Sequence, residues 1–166
     1  SFAYGIASAL GGRVGPSRLD VTGALLSTSI DDVVEGLARE ACVTETIGAA
    51  EALAVIDGCA AGLRAGLTRV AEDESRHAAL AWASLRWIVD AFPSAGEHAI
   101  SAIDAAIEDM QRMNARVDGA GPDIPALGVL GGDAQRGIRE RALVDVVKPL
   151  RDALRERVLR AVEVAA

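Results

Sequence analysis

Aromatic residues are scarce in this sequence, at 3%, and lysine is nearly absent, with Lys148 the single example. A core without aromatics has to be assembled from Ala, Leu, Val and Ile, which suits close helix packing better than a sheet sandwich. Cys42 and Cys59 are the only cysteines and lack any CxxC-type spacing. That excludes a zinc-ribbon or disulfide framework and makes a reducing, cytoplasmic compartment the expectation. No uninterrupted apolar run approaches the roughly 18 residues of a membrane-spanning helix. No charged-then-apolar signal pattern opens the chain, and with Ser1 in place of Met the first residue reads as a processing boundary. Excess positive charge is missing too: 17 basic residues face 24 acidic ones, a net charge of −7. Nucleic acid and anionic membrane both need a positive surface, so neither is expected as a partner. The preference for Arg over Lys reads as GC-rich coding bias and carries no functional meaning.

What is present points to a folded helical chain. With 51% hydrophobic and 25% charged residues, the 166 residues can fill a core and are not disordered by composition. The first ten residues read as the last turns of a helix, broken by Gly11, Gly12, Gly15 and Pro16, with a polar linker to Thr28. Ser29 and Asp32 have capping-box-like spacing and open a helix over 29–57, with an apolar stripe at Ile30, Val33, Leu37, Ala41, Thr44, Ile47 and Gly48. A second helix is expected over 61–92, with Leu67, Val70, Ala71, Ala78, Ala81, Leu85 and Ile88 on one face and Pro93 as its stop. Ser94 and Glu97 suggest another capping box, opening a helix over 94–117 whose stripe is Ile100, Ile103, Ile107 and Met110. A Gly/Pro-rich loop over 118–132 precedes a last helix over 133–161, which should kink or break near Pro149. No segment alternates like a strand. The fold class is all-α.

The chemistry lies on the first two complete helices. Glu74 and His77 form a Glu-x-x-His pair, which at i and i+3 shares a face. Val70, Ala71, Ala78 and Ala81 share it too, so the pair is expected to point inward, where a carboxylate and an imidazole are costly unless something satisfies them. A divalent metal would do so; this donor pair suits iron, manganese or zinc. Folding the two helices as an antiparallel hairpin about 57–61 brings the Glu74/His77 level opposite roughly residue 43, at about 1.5 Å per residue. Glu40 and Glu45 each fall within about a turn of that level, whereas Glu51 lies about two turns away and is excluded as a ligand. A Glu followed by Glu-x-x-His on the next helix is one half of a di-iron carboxylate site.

The plain alternative is a coincidence of composition. With eleven Glu and two His, a chance Glu-x-x-His arises in roughly one such chain in eight. Arg76 could pair with Glu72, and His77 could be a satisfied core histidine. His98 reads as a surface residue beside Glu97, Trp82 and Trp87 as packing residues, and Cys42 and Cys59 as small core fillers with no base nearby in sequence.

The stretches Arg39-Glu40-Ala41-Cys42-Val43-Thr44-Glu45-Thr46 and Ala71-Glu72-Asp73-Glu74-Ser75-Arg76-His77-Ala78-Ala79-Leu80-Ala81-Trp82 together resemble the second half of a ferritin-like domain. The resemblance is closest to uncharacterised ferritin-like proteins of myxobacteria, and a similar Glu pattern occurs in ferritin-like tRNA hydroxylases. Phe2 to Ser8 looks like the tail of the preceding family helix, and Arg136 to Leu150 resembles the C-terminal arm. The resemblance implies a partial ferritin-like domain over 1–117, the loop over 118–132, and a helical arm over 133–166. It further implies a four-helix bundle holding two metal ions, with Glu40, Glu74 and His77 as ligands from this half. Glu45 is the alternative if the register slips by a turn. The family's first Glu helix and first Glu-x-x-His helix have no counterpart here.

Three functional readings follow. One is a di-iron ferritin-like protein, oxidase-like or iron-handling, whose other half comes from a removed segment or a second copy in a homo-oligomer. Another is a non-catalytic helical self-association module that has lost the chemistry. The last is a ferritin-like hydroxylase, for which the acidic charge makes tRNA a poor substrate.

Overall fold

The computed structural model describes residues 29–117, 119 and 121–165. The expected helix tail and linker before Ser29 lie outside them. Four helices carry the fold: α1 (30–54), α2 (Ala61–Ala91), α3 (Gly96–Ala115) and α4 (132–165). No strand occurs among the described residues, only an isolated antiparallel bridge between Ile124 and Val129. The all-α reading holds.

The first helix starts as its sequence suggests: the Ser29 hydroxyl accepts a hydrogen bond from the Asp32 amide at 3.1 Å. It then departs from regular geometry. Leu37–Thr44 winds as a π-helix between the α-helical segments Ile30–Gly36 and Glu45–Ala54. Two threonine hydroxyls bond to carbonyls of this segment. The Thr44 hydroxyl donates to the Arg39 carbonyl at 2.9 Å, and the Thr46 hydroxyl to the Cys42 carbonyl at 2.6 Å.

The buried side of α1 is Val34, Ala38, Cys42, Val43, Thr46 and Ile47, not the stripe expected from a uniform 3.6-residue period. Ile30, Leu37 and Ala41 only flank the core, and Val33 is exposed. A wheel drawn at one angular step per residue cannot be carried through a π segment, because each wide turn consumes an extra residue.

α2 fits its reading better. Ala71, Ala78, Ala81, Leu85 and Ile88 are buried, at spacings of seven, three, four and three, although Val70 is exposed. It runs back along α1 as an antiparallel hairpin with the turn at 55–60. α3 buries Ile100, Ile103, Ile107 and Met110 as expected. The Ser94/Glu97 capping box does not form: Pro93–Ala95 takes a 3-10 turn and Ala95 becomes the cap, without a side-chain bond. Proline at the head of that turn fixes the backbone before Ser94 can act. His98 is partly exposed, as expected, with its Nε2 3.2 Å from the Asp31 carbonyl oxygen.

The Gly/Pro-rich connection packs back on the hairpin turn. The Ala60 amide donates to the Ala126 carbonyl at 2.9 Å, and Gly128 sits at φ 69°, a left-handed conformation that glycine adopts without strain. α4 then contributes Leu143, Val147, Leu154 and Val158 to the same core as α1, α2 and α3. The segment expected as an arm is thus part of that core. Nor does it break at Pro149. A second π segment, Leu143–Val147, ends two residues before the proline, and the Lys148 amide bonds to the Leu143 carbonyl. That widened turn takes up the mismatch a proline imposes on the turn before it.

Candidate metal centre

Glu74 continues the buried row of α2, three residues after Ala71 and four before Ala78. It therefore faces α1, with its side chain 33% exposed. Opposite stands Glu45, the first residue after the π segment of α1. His77 flanks the row on the outer side of α2 and is 62% exposed, which corrects the inward orientation expected for it. The three side chains nevertheless meet: one ligand atom from each of Glu45, Glu74 and His77 lies within 4.8 Å of the others. His77 Nδ1 is 4.0 Å from Glu74 Oε2.

Glu40 does not join them. It lies two residues from both Ala38 and Cys42, on the far side of α1 from the buried row, and is exposed. It lines a hollow with Arg39, Thr44 and Asp109 against α3 instead. Of the two glutamates that the hairpin geometry left open, the structure brings Glu45 to the pair. Glu51 stays apart, as expected, and accepts a hydrogen bond from Arg139 Nε of α4 at 2.5 Å.

The electrostatics of the cluster are those of two carboxylates competing for one space. Hydrogen bonding with Glu45 raises the Glu74 pKa above the ordinary 4.5; partial burial and the Glu45 charge add to this, and His77 opposes it. A proton on Glu74 would relieve the repulsion, and so would a cation.

The donor set and spacing fit such an ion. Two ligands at about 2.1 Å on opposite sides of a metal stand about 4.2 Å apart, so small side-chain rotations would close this cluster on one centre. Three protein ligands would leave open coordination positions, the arrangement of a reactive rather than a purely structural site.

Neighbouring residues settle several smaller expectations. Arg76 is held by Asp73 rather than Glu72, which leaves His77 free of it. Cys42 is fully buried and burial pushes its thiol pKa up to about 12, so it is inert as a nucleophile. Cys59 is buried as well. Trp82 does more than pack: its indole N–H donates to the Thr46 hydroxyl at 3.1 Å. Sequence periodicity carries no sign of that bond, because the two residues are 36 apart in sequence and meet only through the hairpin register.

No helix among the described residues is long and apolar enough to cross a membrane. No family model matches this sequence, and no curated protein and no solved structure is found that matches it.

Proposed function

We propose that this chain is a ferritin-like protein carrying one half of a di-metal carboxylate site, probed best as di-iron, and acting as an oxidase-like or iron-handling protein in the cytoplasm. The observation that supports this reading is the meeting of Glu45, Glu74 and His77 across the α1–α2 hairpin. Glu45 and Glu74 would hold the ion through carboxylate oxygens and His77 through one imidazole nitrogen. Manganese and zinc suit the same donors. Bound iron would supply redox chemistry with dioxygen at the open positions. The chain's own part is to hold the ligands at hairpin register, to set two opposed carboxylates where a cation relieves their repulsion, and to keep an approach from solvent along His77.

The other half would come from a second copy or from further helices. On α2, His77, Leu80, Ser84 and Trp87 follow a spacing of three, four and three, which places them along one side. Leu80 and Trp87 are 67% and 63% exposed. A two-fold copy laid on this stripe would present the same ligands again. The same stripe also favours the second reading, a helical self-association module without chemistry.

Metal analysis of the chain purified without chelator separates the two. The ferritin-like reading expects bound iron approaching one ion per chain, retained on gel filtration. Metal-free protein that still self-associates, and gains no stability from added Fe(II), overturns it in favour of the module.

A further inference from the structure

A groove of about 630 Å³ lies on the other flank of α2, between its second half and the C-terminal half of α4. Ala79, Trp82 and Ala83 of α2 face Leu150, Ala153 and Leu154 of α4 across it. On each helix the spacing is three and four, so two short rows run side by side. Alanine on both rows keeps the gap open where larger side chains would interdigitate.

The lip of the groove is basic, formed by Arg86, Arg157 and Arg160. In a chain of net charge −7, three guanidinium groups around one apolar groove run against the overall balance. Their pairing is uneven. Asp90 grips Arg157 with both carboxylate oxygens. Arg160 meets Glu156 only at 3.5 Å, with both side chains mostly exposed, a pair worth little. Arg86 is within electrostatic range of Asp90 but makes no direct ion pair among the described residues. Two guanidinium groups therefore stand available at the mouth.

An apolar floor below a cationic lip complements one ligand chemistry, an alkyl chain ending in a carboxylate. We infer that this groove binds a medium-length alkyl carboxylate, its chain on Trp82, Leu150 and Leu154 and its headgroup between Arg86 and Arg160. The volume falls within the roughly 300–1,000 Å³ of small-molecule sites, which share this apolar lining with few polar groups. A packed helix of a second copy fits less well. It would have to desolvate the guanidinium groups along with the apolar rows, whereas a single-headed ligand leaves them partly in water. The inference is independent of the metal reading, since it uses none of the three ligands.

The test uses the full chain carrying Trp87→Phe, which leaves Trp82 as its only indole. Tryptophan emission is followed while decanoate is added below its micellar range, with decylammonium as the control of equal tail and opposite charge. A saturable response to decanoate, at least tenfold weaker for decylammonium, is expected. Arg86→Glu should weaken decanoate binding roughly tenfold, the loss of one charge-assisted hydrogen bond. Ala83→Phe should abolish it by filling the groove, with helical circular dichroism retained; Ala153→Phe makes the same test from the opposite wall if that variant fails to fold. Equal responses to both headgroups, no saturable response, or decanoate binding unchanged in a folded groove-filling variant overturns the inference. So does a dimer in sedimentation that the groove-filling variant dissociates while decanoate has no effect, because a second copy would then be the occupant.

Discussion

The Trp82 indole donates to the Thr46 hydroxyl at 3.1 Å, and the same hydroxyl donates to the Cys42 carbonyl at 2.6 Å. Thr46 follows Glu45 directly, so this relay fixes α2 against α1 one residue from the candidate site. It also caps the end of the π segment. Thr46→Val keeps the shape but leaves the indole N–H unpaired and removes the hydroxyl's bond to the Cys42 carbonyl. A loss of about 1–3 kcal/mol in stability is expected, read by denaturant unfolding. Thr46→Ser, which keeps the hydroxyl, should recover most of it.

Leu85 is fully buried at the centre of α2, whereas Leu80 on the same helix is 67% exposed. Leu85→Ala should therefore cost about 2–5 kcal/mol, from lost transfer energy and a cavity that neighbours only partly fill. Leu80→Ala should change stability by less than about 0.5 kcal/mol in the monomer. Equal losses would mean that the core lies elsewhere than on the Ala71, Ala78, Ala81 and Leu85 row.

The raised pKa of Glu74 has a definite sign in stability. A carboxyl that holds its proton more tightly when folded than when unfolded makes the fold lose stability as pH rises from the ordinary 4.5 through the raised value. The loss levels off above that value. Glu74→Gln removes the charge that Glu45 opposes. In chelator, the variant should melt above the parent at neutral pH, and the two should converge in mild acid. Melting temperature against pH for both proteins measures this; a gap that widens in acid would contradict it.

Much of the fold was legible because its signals are local. Pro93 stops α2, Ser29 caps α1, and Ile100, Ile103, Ile107 and Met110 mark the buried row of α3 on a regular period. What escaped were the two π segments, Leu37–Thr44 and Leu143–Val147, because no residue type announces an extra residue in a turn. The consequence falls on the site. Glu40 reads as near the apolar stripe only if α1 is regular, and across the π segment it belongs to the opposite side. The level of Glu74 and His77 was readable from hairpin length alone, since helix rise is uniform enough to bring Glu45 within a turn. The exposure of His77 was not, because position 77 lies at the edge of the row, where neighbouring helices decide what is covered.

If the stripe of His77, Leu80 and Trp87 is the contact between two copies, a charge placed there should separate them. Leu80→Glu would set two carboxylates near a two-fold axis within an apolar contact, which costs desolvation as well as repulsion. The parent is expected to sediment as a dimer at micromolar concentration, and Leu80→Glu as a 17.1 kDa monomer with unchanged helical signal. A parent that is already a stable monomer would remove the second copy as the source of the missing half.

The ligand assignment makes a sharper demand, because the structure separates Glu45 from Glu40. In the absence of metal, the Glu74 carboxylate faces the Glu45 carboxylate, which raises its pKa, so a cation between them relieves the opposition and competes with a proton on Glu74. Adding Fe(II) under anaerobic conditions, or Mn(II), should therefore raise the melting temperature, and in mild acid it should also release protons into a weakly buffered solution. His77→Ala should abolish that gain while leaving the metal-free fold nearly intact, since the ring is 62% exposed and little packing depends on it. Glu45→Ala should abolish it as well, with the metal-free protein unchanged or slightly more stable once the opposing carboxylate is gone. Glu40→Ala should keep the full metal-dependent gain, because Glu40 lies on the α3 side of the helix. Loss of the gain in Glu40→Ala with retention in Glu45→Ala would reverse the assignment. Equal stabilisation of His77→Ala and the parent would make the Glu-x-x-His of α2 a coincidence of composition.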